Sequence, residues 1–274
     1  MDNIKRIIKI CILSLVLYAP LTRCQMIQKL PEFHVEISSP ETKYRIEPIY
    51  DTIKTLEGVH AGLPYGGSSG RWGESGSTWT AQRGTPIGAD IIYYSGYEDV
   101  FYHLKVDFPL ETIKDYMQRA YSAADDKNGE TREYKMLGRN CRAVAGEAYD
   151  SFTTLVFGFA PKGMVVVWLN YSTTRIELGK YQAEIIRDQE ILNKVSKKHL
   201  EIYRISPERF EKEKEILHIP DASPEKWDNY RLRYPWRPAV TAENPKLELL
   251  QIETSYFNGE IDSMLRPWVN NPDY

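Results

Sequence analysis

Residues 161–183, "PKGMVVVWLNYSTTRIELGKYQA", decide how this chain folds. Pro161 and Gly163 bracket a turn. Val165 to Leu169 then run apolar without alternation, so both faces of that strand are expected in a core. Trp168 ends the run, and a packed ring is expected there rather than a reactive one. After a short polar break, Arg175 to Ile185 read as the next, amphipathic strand, with Gly179 setting a further turn. The stretch therefore predicts scaffold, and chemistry must be sought elsewhere.

Working outward, "TTLVFGF" before the turn predicts another buried strand, and "DQEILNKVSKKHLEIYRI" after it a helix through Ile191, Val195 and Ile202. The first half shows a similar plan. "DIIYYSG" is a buried-type strand, "FYHLKVDF" alternates with Tyr102, Leu104, Val106 and Phe108 on one face, and "PLETIKDYMQRAYS" has helical spacing through Leu110, Ile113, Met117 and Ala120. Residues 86–121 and 161–203 thus read either as two β-β-α repeats or as the coincidence any α+β chain offers. Phe33, Val35 and Ile37 alternate with polar neighbours in an earlier strand. Ser206-Pro207 and Ser223-Pro224 each offer a helix start, with a Ser cap and Pro at the first position. Asn258-Gly259 marks a hairpin. The expected fold class is α+β: a β-rich antiparallel sheet or sandwich with a few packed helices, in one domain over residues 25–274.

Composition agrees: 274 residues, 42% hydrophobic and 12% aromatic with 19 Tyr, suit a β-rich globular core. The N-terminus sets the compartment. Lys5, Arg6 and Lys9 precede an apolar block from Ile10 to Ala19, too short for the roughly 20 residues of a membrane span. Residues 1–24 read as an export signal. Leu21 and Thr22 stand where a lipobox places them, with Cys24 as the residue to be acylated; Arg23 departs from the small residue normally found there. Lipidation at Cys24 and ordinary cleavage with release into the periplasm both remain open. Of the three cysteines, Cys11 leaves with the signal, and Cys141 reads as a buried small hydrophobe. Loss of residues 1–23 removes Lys5, Arg6, Lys9, Arg23 and Asp2 from 35 basic and 38 acidic residues, leaving 31 against 37, a formal −6. That balance carries no nucleic-acid footprint.

Residues 58–88 break every period and hold nine glycines, so a long surface loop is expected. Within it Tyr65, Arg71, Trp72 and Trp79 are the candidate binding residues, because long loops on rigid β scaffolds commonly carry recognition.

Motifs for chemistry are weak. Gly66 to Gly70 formally satisfy G-x-S-x-G but lack the strand before and helix after that a nucleophile elbow requires. His34, His60, His103, His199 and His218 stand singly, without zinc spacing. "DDKNGE" at 125–130 lacks the closing ligands of a calcium loop. No metal, cofactor or catalytic residue is expected.

At "GRWGESGSTW", "PIGADIIYYSGYEDVFYHLKVDFP", "GFAPKGMVVVWLN" and "IELGKYQA" the chain resembles the bacterial lipoprotein-type family called domain of unknown function 2931. The shared features include Trp72-Gly73, Tyr94-Ser95, Phe101-Tyr102, Pro161-x-Gly163, Trp168, Gly179 and Gln182-Ala183. The late "RYPW" and "YFNGE" segments fit the same pattern. The resemblance implies the envelope of a Gram-negative bacterium and supplies no activity or catalytic residues. The expectation is an envelope protein, held on the outer membrane by a lipid on Cys24 or soluble in the periplasm, that acts by binding. Its partner would be an envelope component or, in an immunity-type role, a secreted antibacterial toxin. A hydrolase of glycans or lipids using dispersed carboxylates, and glycan binding without hydrolysis, are the rivals.

Overall fold

The 161–183 stretch is a hairpin at the centre of a large sheet. The computed structural model describes residues 30–66, 71–74, 79–117, 119–122, 132–135, 153–171, 174–247, 249 and 251–265. The leader with Cys24, the 124–130 turn, Cys141 and residues 67–70 and 75–78 of the glycine-rich stretch lie outside them. In chain order the elements are β1 (Glu32–Ser38), β2 (Ile46–Thr55), β3 (Trp79–Arg83), β4 (Pro86–Ser95), β5 (Val100–Asp107), α1 (Leu110–Met117), β6 (Arg119–Ser122) and β7 (Arg132–Lys135). There follow β8 (Thr153–Phe159), β9 (Met164–Tyr171), β10 (Thr174–Gln182), β11 (Glu184–Ile185), α2 (Gln189–Tyr203), α3 (Pro207–Leu217), α4 (Glu225–Asn229), β12 (Gln251–Ser255) and β13 (Ile261–Leu265). Pro31–Tyr274 form one compact unit.

Seven strands pair in the order β12-β13-β10-β9-β8-β1-β3, and four in the order β11-β5-β4-β2. All neighbours are antiparallel except β1 and β8. The class is α+β. Val165 to Leu169 are fully buried, as their uniform apolarity requires, because β9 sits inside the large sheet with both faces covered. The core joins the two sheets: Tyr93 of β4 packs on Phe159 of β8 with ring centroids 4.8 Å apart, and Tyr93 stacks on Tyr102 at 5.4 Å.

The turn at Pro161–Gly163 also ties the sheets together. Gly163 has φ +71°, and a Cβ there would meet the Ala183 carbonyl oxygen at 2.6 Å and Tyr102 at 2.8 Å. The Lys162 amide donates to Glu98 of the β4–β5 turn at 2.7 Å, and Gln182 Nε2 donates to the Lys162 carbonyl at 2.6 Å. The 86–121 stretch runs strand, strand, helix and on into β6, while 161–203 runs strand, strand, the short β11 and then a helix. Pro86-Ile87-Gly88 begin a strand where Pro161-Lys162-Gly163 form a turn.

Three local expectations are corrected. α1 stops at Met117, and Ala120 lies in β6, because pairing with β7 wins over helical spacing at the helix end. Trp79–Arg83 is a strand rather than loop: it pairs with β1, a partner more than 40 residues upstream that no local period announces. The helix after Ser223 is only five residues long.

Candidate functional site

Of the four loop residues singled out by composition, Trp72 does not face solvent, and Tyr65 and Trp72 are held by different sheets. Trp72 turns inward and is 7% exposed, packing edge-to-face on Trp168 at 4.9 Å and 89°. Gly158 makes room for that pair: a Cβ at 158 would lie 2.6 Å from Trp168 Cη2 and 2.8 Å from Trp72 Cη2. The Gly73 backbone lies against the late hairpin, since a Cβ there would meet Gly259 Cα at 2.8 Å. Trp168 Nε1 donates to the Asn258 carbonyl at 3.1 Å, and Arg175 Nη1 to the Gly259 carbonyl at 3.2 Å. "RWG", "GFAPKG", "VVVW" and "NG" are therefore parts of one buried knot. Tyr65 is exposed and donates to Asp51 of β2 at 3.2 Å; burial and the Asp51 charge push its phenol up to about 12. Arg71 is exposed, and its carbonyl accepts from Ser38 Oγ at 3.1 Å. The Trp79 backbone pairs opposite Glu36. Tyr65 and Trp72 are thus bound to different sheets.

The knot supports a different surface. Beyond it, a groove of about 470 Å³ runs between β10 (Thr174, Arg175, Ile176), the chain from Asn229 to Trp236 and the hairpin turn from Tyr256 to Asp262. Large apolar side chains line it in the open: Phe257 is 81% exposed, Tyr234 74%, Leu232 62% and Trp236 55%. Two ring contacts span the walls, Tyr230 with Phe257 at 5.3 Å and Trp236 with Tyr256 at 6.0 Å. Such aromatics give large contact area at low cost in side-chain entropy.

The ionisable groups around these rings are committed to one another. Glu260 accepts from Arg233 at 2.6 Å, Asn258 at 2.8 Å and the Glu177 amide at 3.0 Å. Arg231 makes three hydrogen bonds to Glu177, the shortest 2.6 Å, and reaches Asp228 at 3.3 Å. Its hydrogen bonds to Glu177 raise the Arg231 pKa against the opposing effect of burial, while the hydrogen bond from Lys180 holds Asp228 below the usual carboxylate range. Arg175, on the groove floor, is lowered by burial against the pull of Glu74 and Glu36. A carboxylate held low stays an acceptor, which suits positioning rather than proton donation. Stacking and hydrogen bonding are what this arrangement offers.

Sequence reasoning also passed over His199. It is fully buried on α2, hydrogen-bonds Glu47 of β2 at 2.5 Å, and sits among Tyr94, Tyr203 and Phe210 with centroids 4.8–5.3 Å away. It anchors a helix on the smaller sheet. His103 bonds Asp90 at 2.7 Å on the exposed face. Among the described residues no group of three or more His, Cys, Asp or Glu can hold a metal ion, and no helix is long and apolar enough to cross a membrane.

Fold and site together define an α+β protein whose larger sheet carries an open aromatic groove beside its last hairpin. The sequence pattern of the family described as Protein of unknown function (DUF2931) matches residues 22–220, and the chain belongs to that family. No curated protein and no solved structure matches it. The match includes the Trp72–Gly158–Trp168 part of the knot, while "RYPW" and "YFNGE", which build the groove, lie after residue 220.

Proposed function

We propose that this is an exported envelope protein, anchored by a lipid on Cys24, that acts by binding through the aromatic groove. One observation carries the binding reading: four large apolar side chains stand 55–81% exposed along one groove, while their charged neighbours are held in ion pairs. Contiguous exposed apolar surface rimmed by polar groups marks interaction sites in soluble domains. Export and anchoring rest on the basic-then-apolar leader and the Leu21-Thr22-x-Cys24 spacing.

The test compares the wild-type protein with Trp236→Ser in cross-linking from intact envelopes, alongside metabolic labelling with a clickable palmitate analogue. Binding predicts a protein, glycan or lipid adduct that the variant loses. Equal adducts from both proteins, or none from either, would overturn the groove assignment. Label on wild type and none on Cys24→Ala is expected if the anchor is real.

A protein partner, such as a toxin neutralised by an immunity-type lipoprotein, is favoured by one feature. Trp, Tyr and Arg, the residues that dominate protein hot spots, are concentrated in residues 231–237. That version predicts capture of a single stoichiometric protein partner.

A further inference from the structure

We infer that the groove's outer wall continues as an arm that docks on the lipid–water interface, so that this protein contacts its membrane at a second point besides the N-terminus. The inference rests on the binding reading of the groove and extends it to the chain that follows the groove's outer wall.

The arm is the chain from Leu232 to Leu247, "LRYPWRPAVTAENPKL". Every residue of it is exposed, and none is in a helix or strand. It carries Leu232, Tyr234, Trp236, Val240 and Leu247, each more than half exposed. With Arg231 and Arg233 held by Glu177, Asp228 and Glu260, its remaining charges are Arg237 and Lys246 against Glu243, a local balance of +1 on a chain whose total is −3. Tyr and Trp settle at the headgroup level of a bilayer, aliphatic side chains enter just below it, and Lys and Arg attract anionic headgroups.

The register of the large sheet shows where this arm lies. One row crosses five strands: His34 opposite Thr154, Thr154 opposite Asn170, Asn170 opposite Arg175, and Arg175 opposite Ile261. Arg175↔Ile261 is the one described pairing that holds β13 to β10. Running antiparallel to β10, β13 continues from Ile261 past the first residue of β10. Ser263–Leu265, with their partners on β12, therefore extend about 10 Å beyond the end of β10 as a two-stranded ribbon. A two-stranded ribbon alone is marginally stable in water, which argues for a surface that covers it. Trp236 of the arm lies beside Tyr256 at the ribbon's turn, and Gln251, which follows the arm in the chain, pairs with Leu265 at the ribbon's far end.

Glu32, the first residue of β1, lies at this same end of the sheet, two residues outside the row. The chain therefore enters the large sheet at this end. The ribbon and the entry of the chain are four strand spacings apart, about 19 Å across the sheet. An exposed aromatic arm that leads from the ribbon's turn toward its far end, on the side of the sheet where the chain enters, is placed to meet a surface to which the body is tethered.

The experiment uses the unacylated chain from Gln25, which contains the whole compact unit, so its result does not depend on Cys24. Co-sedimentation is measured with vesicles of phosphatidylcholine and of phosphatidylcholine mixed with phosphatidylglycerol. Wild type is expected to sediment with the mixed vesicles, and Trp236→Ser/Leu247→Ser and Arg237→Glu to bind them about tenfold or more weakly at unchanged far-UV circular dichroism. No sedimentation with either vesicle, or binding that the variants leave intact, would overturn the proposal. So would a concentration-dependent dimer that the double variant abolishes, since the arm would then cover a second copy of the chain. Loss of vesicle binding with retained Trp236-dependent cross-links to a protein or glycan would sink the lipid assignment and leave the groove's binding role standing.

Discussion

A methyl group at position 158 would fall into space that Trp72 and Trp168 already fill. Gly158→Ala adds one carbon that falls well inside contact distance of both rings, 2.8 Å from Trp72 Cη2, and Trp168 is fully buried, so neither ring can swing into solvent. Overpacking of this kind costs about 1–3 kcal/mol. Urea denaturation of Gly158→Ala should show a lower midpoint at an unchanged slope; a midpoint equal to wild type would mean the knot is looser than its geometry. Leu232, by contrast, is 62% exposed, and Leu232→Ser should change stability by no more than about 0.5 kcal/mol. At this scale the sequence was legible in part. Trp168 is recognisably core because its whole strand is apolar. Trp72 is not, because nothing in "GRWGES" reports that its partner ring lies 96 residues downstream. A tryptophan in a glycine-rich stretch looks the same whether it faces water or a second tryptophan.

Elements follow the same division between local and distant causes. α3 begins where its cap predicts, Ser206 Oγ accepting from the Arg209 amide at 3.3 Å, and α2 is capped in the same way by Asp188, which accepts from the Ile191 amide at 3.0 Å. Capping is decided within four residues, so a single sequence shows it. Ser206→Ala should destabilise α3 by about 1 kcal/mol, read as a lower thermal midpoint, whereas Ser206→Asp should restore most of the loss. β3 was not legible, since only its pairing with β1 makes it a strand. The groove was least legible of all. One wall is a stretch without period, the other the turn of a hairpin, and they meet because Arg233 reaches Glu260 and Arg231 reaches Glu177. Tyr234, Trp236 and Phe257 carry no mark in sequence that separates them from core aromatics. The aromatic count favoured a β core, and for Tyr93, Phe157 and Phe159 that holds.

At the scale of the whole molecule, one tyrosine-rich core joins the two sheets, and that core makes a pH prediction. Burial raises the pKa of Tyr93, Tyr97 and Tyr102 in that core, and of Tyr94 and Tyr203 beside His199 outside it, well above the ordinary value of 10.0. Asp99 adds to the effect at Tyr94, to which it is hydrogen-bonded at 2.8 Å, and Glu98 adds to it at Tyr97 and Tyr102. A phenol whose folded pKa exceeds its unfolded one contributes stability that is complete below the unfolded value and is lost as pH rises through the folded value. Unfolded chains release these protons near pH 10, so alkali should favour the unfolded state increasingly from about that pH upward. Because Tyr93 and Tyr102 stack between the sheets, the core cannot take up phenolates one at a time without separating the layers. Phenolate absorbance at 295 nm from the buried class should therefore rise together with the loss of near-UV and far-UV circular dichroism, in one cooperative step above pH 10. Full phenolate absorbance near pH 10 with the dichroism unchanged would mean that these rings meet water in the folded protein, and that the sheets are not joined as the ring contacts place them.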